Sequence, residues 1–234
     1  MWIQEKIKQF ACYSSDQVYF KQWGLQRSGT NYLKWLLDYN FRGVKVLANQ
    51  GGWKHSVPSN QSQFRAPSMY SAAPAGIEIQ ANFVMFREPS QWLLSFKNYA
   101  ALNPPTLPSN FPLICDWEPS KVQLVMDLWV RYNTEYINLV EGGCGFYALF
   151  YEDLMSLPEV VLEWVRKHFG LRCSAFVCPL PGIKRFLVTK RKKDPHATKA
   201  STRRIQSLRE WEKDMADSIT GDIYQQWRQN FRPY

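Results

Sequence analysis

A short glycine-bounded loop between two differently patterned segments most restricts what this chain can fold into. Val18 to Trp23 is rich in β-branched and aromatic residues, a composition typical of a β-strand. From Asn31 to Leu37 the leucines recur at helical spacing, and Gly24-Leu-Gln-Arg-Ser-Gly-Thr30 lies between the two segments. In a strand–loop–helix unit, the backbone N–H groups of the loop and of the first helical turn point at one spot. The sequence therefore predicts a cradle for a phosphate group.

The loop has the outer frame of the Walker A nucleotide-binding motif but not its functional end. Gly24 and Gly29 are separated by four residues, as in that motif. Where nucleoside triphosphatases need Lys followed by Ser or Thr, this chain has Thr30 and Asn31, and its basic residue, Arg27, precedes the second glycine. The loop therefore predicts a nucleotide donor whose chemistry needs no magnesium.

Strand-like and helix-like segments alternate along the rest of the chain. This alternation predicts an α/β fold with a central parallel sheet in a three-layer sandwich, P-loop NTPase-like, with a helical C-terminus and a single domain over residues 1–234. After the first strand we predict strands at 44–48, 77–86 and 146–151, and helices at 91–102, 120–141, 157–169, 203–217 and 219–231.

Three segments, each after a predicted strand, resemble the sulfotransferase family. Arg27-Ser-Gly-Thr-Asn-Tyr32 is similar to that family's 5′-phosphosulfate loop. Arg87-Glu-Pro-Ser-Gln-Trp-Leu-Leu-Ser95 resembles its 3′-phosphate motif, with Pro two residues and Ser eight residues after the Arg, although Glu88 stands where relatives carry Asp or Asn. Tyr151-Glu-Asp-Leu154 resembles a third family segment. The chemistry suits phosphate, because a guanidinium grips it through two hydrogen bonds and a helix serine adds a hydroxyl donor.

The resemblance implies 3′-phosphoadenosine 5′-phosphosulfate (PAPS) as the donor, adenosine 3′,5′-bisphosphate (PAP) as the product, and no metal. It also implies sulfuryl transfer to a hydroxyl or amine of a small-molecule or carbohydrate acceptor. The implied donor-binding residues are Arg27, Ser28, Gly29, Thr30 and Asn31 at the 5′ end, Arg87 and Ser95 at the 3′-phosphate, Tyr32 and Tyr151 at the adenine, and Lys190, Arg191 and Lys192 closing over the 3′-phosphate.

The acceptor must lose a proton, so the reaction needs a base. His55 follows the second predicted strand in Gly51-Gly-Trp-Lys-His-Ser-Val-Pro58, where soluble sulfotransferases carry their catalytic histidine, and we predict it as the catalytic base. Relatives place a lysine two residues before that histidine, whereas Lys54 is adjacent to it. A carboxylate base is the alternative. Arg27 is the second predicted catalytic residue, because it lies where charge builds on the leaving oxygen.

Composition limits the other classes of function. The chain has 29 Lys and Arg against 20 Asp and Glu, but nine of those basic residues lie between Lys184 and Arg204. A nucleic-acid-binding module, the alternative to an enzyme, would spread its charge over a face; a nucleotide kinase or NTPase is a further alternative. The five cysteines contain no CxxC pair and predict reduced thiols in a cytoplasmic protein. No apolar run reaches the length of a membrane span.

Overall fold

The computed structural model describes residues 17–50, 52, 54–57, 77–102, 117–173 and 207–234. In this part of the chain one sheet has four strands, all parallel, in the order β2-β1-β3-β4. The α/β class predicted from the sequence is therefore confirmed. The strands are β1 (Val18–Trp23), β2 (Val44–Leu47), β3 (Ile79–Phe86) and β4 (Phe146–Phe150).

Most helices lie where hydrophobic periodicity predicts them, but the short helix over 151–156 was not predicted, because the sequence predicts a strand that ends at 151 and a next helix that begins at 157. The helices are α1 (Thr30–Asn40), α2 (Pro89–Leu102), α3 (Pro119–Glu141), α4 (Tyr151–Ser156), α5 (Pro158–His168) and α6 (Glu210–Phe231). Helices α2, α3 and α5 begin with proline, whose fixed φ suits the first turn and whose missing N–H would have no helical partner there.

The sheet separates two hydrophobic cores, because side chains alternate across each strand. On β3, Phe83 and Met85 pack on one face with α1 and α5, whereas Val84 and Phe86 pack on the other face with α2, α3 and α6. All four side chains are fully buried. Helices therefore cover both faces of the sheet, which explains why the strands are apolar on both sides.

The C-terminal region differs from the sequence prediction in one respect. In place of two helices broken near residue 218, the structure has the single 22-residue helix α6. Thr220, within this helix, donates its hydroxyl hydrogen to the carbonyl of Ala216, one turn earlier. A Cβ at the neighbouring Gly221 would have no contact within 4 Å. Without a proline, these residues weaken the helical preference but do not end the helix.

Because all four strands run in one direction, the loops after β1, β2, β3 and β4 leave the same edge of the sheet. Ligands bind at this carboxyl edge in open parallel sheets. The Gly24 loop, His55, Arg87 and Tyr151 each lie after one of these strands. No helix in the described part of the chain has both the length and the apolar character needed to cross a membrane.

Candidate functional site

Both glycines of the loop have backbone conformations that side chains disfavour, and both are closely approached. Gly24 has φ 140°, and a Cβ there would lie 2.6 Å from the Met85 carbonyl oxygen. Gly29 has φ 101°, and a Cβ there would overlap the ring of Tyr151. Any other residue at either position would displace β3 or Tyr151, so the loop geometry depends on glycine.

Four consecutive carbonyl oxygens of the loop accept hydrogen bonds from side chains, three of which lie outside the loop. This arrangement matters for an anion, because a backbone carbonyl without a donor would repel negative charge. The four bonds are His55 Nδ1 to Gly24 O at 2.7 Å, Ser28 Oγ to Leu25 O at 2.7 Å, Trp92 Nε1 to Gln26 O at 2.7 Å, and Arg87 Nη1 to Arg27 O at 3.0 Å.

The start of helix α1 supplies the donors that the cradle requires. Gly29 occupies the N-cap position, and no described side chain caps this end of the helix. The Tyr32 and Leu33 N–H groups donate to the Gly29 carbonyl at 2.9 and 3.1 Å. The N–H groups of Thr30 and Asn31 are therefore the ones that this helix start offers to a ligand, and the helix dipole places partial positive charge beside them. Arg27 has φ 72°, the only positive φ of a described non-glycine residue, so the loop holds a strained backbone at its basic residue.

The residues predicted for the two phosphate ends of the donor contact each other. Arg27 Nε donates to Ser95 Oγ at 3.2 Å, and Arg87 bonds to the Arg27 carbonyl. The Arg27 guanidinium also lies 5.5 Å from the ring centre of Tyr99. The guanidinium groups of Arg27 and Arg87, which follow β1 and β3, therefore lie together with the Ser95 hydroxyl beside the N-terminus of α1.

Aromatic rings form the wall of this cluster. The Arg87 guanidinium lies 4.4 Å from the ring centre of Tyr151, and Tyr151 contacts the ring of Tyr32 edge-on at 6.3 Å. Burial lowers the pKa of Arg87 below its usual value, and its buried Nε has no hydrogen-bond partner in the described structure. Arg87 thus retains donor capacity toward a ligand.

Glu88, which departs from the family pattern, has a local structural role. Its carboxylate accepts hydrogen bonds from the backbone N–H groups of Ser90, at 3.1 Å, and Gln91, at 2.7 Å. These N–H groups belong to the first turn of α2, and an acidic side chain there stabilises the helix start. An Asp or Asn, as in the motif that this segment resembles, would suit the same capping role.

The loop after β2 brings Lys54 and His55 to the cradle. The Gly24 N–H donates to the Lys54 carbonyl at 2.9 Å, and the Lys54 ammonium donates to the side-chain oxygen of Asn31. Because a carbonyl only accepts, His55 Nδ1 carries the hydrogen in the neutral ring, and the lone pair lies on Nε2. Burial, with the nearby Lys54 charge, lowers the pKa of His55 to about 3. The ligand-free imidazole is therefore neutral and gives no acid limb of activity near the ordinary histidine pKa.

The segment after β4 has partners that sequence analysis did not find. Glu152 accepts a hydrogen bond from the hydroxyl of Tyr224 on α6, and its other oxygen accepts the Glu88 N–H at 3.1 Å. The neighbouring carboxylate, Asp153, is fully buried. It bonds to Arg228, to Arg232 at 3.1 Å and to the Tyr234 hydroxyl at 2.8 Å. No local pattern signals these pairs, because the partners are more than 60 positions apart.

The remaining predicted site residues are placed as follows. Thr30 is buried at the first position of α1, and the Ser28 hydroxyl is bonded within the loop. Lys190, Arg191 and Lys192 lie outside the described residues. Among those described, no group of three or more His, Cys, Asp or Glu side chains could hold a metal ion.

The described residues place a glycine-bounded loop between a strand and a helix N-terminus, with two arginines and an adjacent lysine–histidine pair beside it. No protein-family model, curated protein sequence or solved structure matches the chain.

Proposed function

We propose that this chain is a sulfotransferase of P-loop-like fold that uses PAPS as donor and a small-molecule or carbohydrate hydroxyl, or an amine, as acceptor. The observation that carries the proposal is the arrangement of the Gly24–Gly29 loop. Its four carbonyls from Gly24 to Arg27 all accept side-chain hydrogen bonds, three of them from outside the loop, while Arg27 and Arg87 meet beside the α1 N-terminus. A ligand with two phosphate-like ends suits two cations held this way.

The donor would lie along the carboxyl edge of the sheet. The loop N–H groups, Arg27 and the start of α1 hold the 5′-phosphosulfate, and Arg87 with Ser95 holds the 3′-phosphate. Tyr151 and Tyr32 bracket the adenine. Lys190, Arg191 and Lys192 close over the 3′-phosphate in this proposal, which rests on their sequence alone.

The reaction is an in-line displacement at sulfur. The acceptor oxygen forms a bond to sulfur, the bond from sulfur to the bridging oxygen breaks, and PAP leaves with the electron pair. The acceptor proton passes to Nε2 of His55. Arg27, Lys54 and the loop N–H groups stabilise the negative charge on the bridging oxygen as it develops. Holding donor and acceptor together supplies much of the remaining rate.

One contact favours this function over a nucleotide kinase or NTPase. Asn31 stands where a magnesium-binding Ser or Thr would be, and its side-chain oxygen accepts a hydrogen bond from the Lys54 ammonium. A cation already at this position makes a divalent metal there unfavourable by charge repulsion. It also brings a positive charge to the place where a metal-free transfer needs one.

Ligand-induced stabilisation tests the proposal. PAP should raise the melting temperature of the full chain by mass action, with EDTA present or absent. AMP, which lacks the 3′-phosphate, should have a much smaller effect. Transfer of labelled sulfate from PAPS to a panel of phenols, alcohols and sugars then identifies the acceptor. Equal stabilisation by AMP and PAP would reject the 3′-phosphate site, and a requirement for magnesium would favour the NTPase.

A further inference from the structure

Lys21 is a lysine in the middle of β1 whose side chain is fully buried. Lysine is almost never buried completely unless it has a specific partner, because taking an ammonium out of water costs free energy. Its partners therefore need to be identified. Lys21 is not among the residues proposed to bind the donor or to accept the proton.

The Lys21 amine bonds to two backbone carbonyls of the neighbouring segment. Its Nζ donates to Ala48 O at 2.5 Å and to Gly52 O at 2.7 Å. Both acceptors are uncharged, and the amine also lies 4.5 Å from the ring centre of Trp23. Burial, followed by the charge of Lys54, lowers the pKa of Lys21 to about 7. A neutral amine still has two hydrogens, so both bonds persist in either protonation state.

These carbonyls belong to the segment that carries the proposed base. Ala48 directly follows β2, and Gly52 lies three residues before His55. Further along the same segment, the Lys54 carbonyl accepts the Gly24 N–H, and His55 bonds to the Gly24 carbonyl. The segment is thus held at one end by Lys21 from within the sheet and at the other by the loop.

We infer that Lys21 is a positioning residue, which fixes the backbone at Ala48 and Gly52 so that Lys54 and His55 lie against the Gly24 loop. The inference deepens the proposed function and rests on it for its kinetic part. Its structural part is independent, because the two carbonyl contacts are defined without any ligand. Misplacing a catalytic group by about 1 Å can lower the rate by roughly 100-fold.

The test compares Lys21→Met with Lys45→Met. Methionine has similar length and no donor, and Lys45 is an exposed lysine on the adjacent strand β2. Lys21→Gln is the second variant, since it keeps N–H donors on a shorter side chain. Backbone hydrogen exchange is followed across residues 44–57. PAP affinity is measured by calorimetry, and sulfuryl transfer to water from labelled PAPS is measured under single-turnover conditions.

Lys21→Met should speed exchange of the Gly24 amide and of amides between residues 48 and 57, with Lys45→Met unchanged and Lys21→Gln intermediate. Transfer should fall by about tenfold or more in Lys21→Met, while PAP affinity stays within about twofold. General destabilisation of the fold would instead lower both the rate of sulfuryl transfer and the affinity for PAP. Unchanged exchange in Lys21→Met would overturn the inference even if PAP binds. Failure of the wild type to bind PAP would reject the proposed function but leave the exchange result decisive.

Discussion

The hydroxyl of Tyr224 donates a hydrogen bond to the carboxylate of Glu152, which lies 72 positions earlier in the chain. The second oxygen of Glu152 accepts the backbone N–H of Glu88, the residue after Arg87. Helix α6 is thereby connected to the turn that carries the proposed 3′-phosphate ligand. Burial and the nearby Glu152 charge raise the pKa of Tyr224 well above its usual value, so the hydroxyl keeps its proton at any ordinary pH.

Removing this hydroxyl should destabilise the fold. Tyr224→Phe keeps the ring, which packs against Trp129 and Phe150, but loses a hydrogen bond to a charged group. We expect the free energy of unfolding in urea to fall by about 1.5–3 kcal/mol with an unchanged slope. Tyr147→Phe is the control, because that hydroxyl bonds only to the exposed His168 in the described structure. Equal losses for the two variants would contradict the assignment.

Arg87 should discriminate ligands by their 3′-phosphate. Arg87→Ala removes a charged donor from a partly buried site, so PAP should bind roughly tenfold more weakly or worse. The affinity for adenosine 5′-phosphosulfate, which has no 3′-phosphate, should change little. The matched control is Arg131→Ala, whose side chain is exposed on α3. If calorimetry finds the same loss for both ligands, Arg87 supports the fold and does not select the phosphate.

The His55 base should leave a specific signature in the pH profile. His55→Ala should keep PAP affinity and lower turnover by roughly 100-fold. The control variant His168→Ala should leave turnover unchanged. With a pKa lowered to about 3, ligand-free His55 is neutral across the physiological range, so kcat/KM should show no acid limb from it. A bound anionic donor raises the imidazole pKa, so any acid limb from His55 should be found in kcat and not in kcat/KM.

Two results would contradict this assignment. Near-normal turnover of His55→Ala with a proven acceptor would remove His55 from the mechanism. A limb of kcat/KM near the ordinary histidine pKa that disappears in His55→Ala would show that the ring is protonated more easily than its surroundings indicate.

Lys21 should make stability depend on pH. Its pKa is 10.5 in a model lysine and about 7 in the fold. Between these values the unfolded chain binds more protons, so the free energy of unfolding rises with pH across that window. Lys21→Met removes this part of the slope. The free energy of unfolding of Lys21→Met minus that of the wild type should therefore be most positive below pH 7 and should fall as the pH rises toward 10. Denaturant titrations that give a constant difference would contradict the depressed pKa.

Gln22 should be replaceable with a gain in stability. Its side chain is fully buried on β1, and neither polar atom of its amide has a hydrogen-bond partner in the described structure. Such burial costs about 1–3 kcal/mol. Gln22→Met should therefore raise the free energy of unfolding by about 1 kcal/mol or more, whereas Gln123→Met on the surface of α3 should change it by less than about 0.5 kcal/mol. A destabilised Gln22→Met would point to a buried water or ligand on the amide.

Local signals account for what the sequence predicted correctly. The sequence predicts a strand at 77–86, and β3 spans Ile79–Phe86. A buried strand is a short apolar run, and here Arg87 and Pro89 mark where that run ends. The loop, its two glycines and the residues that follow each strand were also predictable. Parallel strands present their carboxyl ends at one edge, so motifs far apart in sequence meet there.

What the sequence did not indicate depends on contacts between distant segments. Lys21 and Gln22 are polar residues in a strand, and such residues usually mark a solvent face. Here helices cover both faces of the sheet, so both are buried. The same holds for Asp153, whose partners Arg228 and Arg232 lie on or just after α6. The pKa of His55 is likewise lowered mainly by burial, which its sequence neighbours do not reveal.

The close approach of Gly29 to the ring of Tyr151 links two positions that lie 122 residues apart. It amounts to an evolutionary constraint. A homologue with a side chain at position 29 would have to lose the ring at position 151 and also abandon the positive φ of the loop. Single substitutions at position 29 should therefore be purged, and the two positions should change together or not at all in an alignment of related chains.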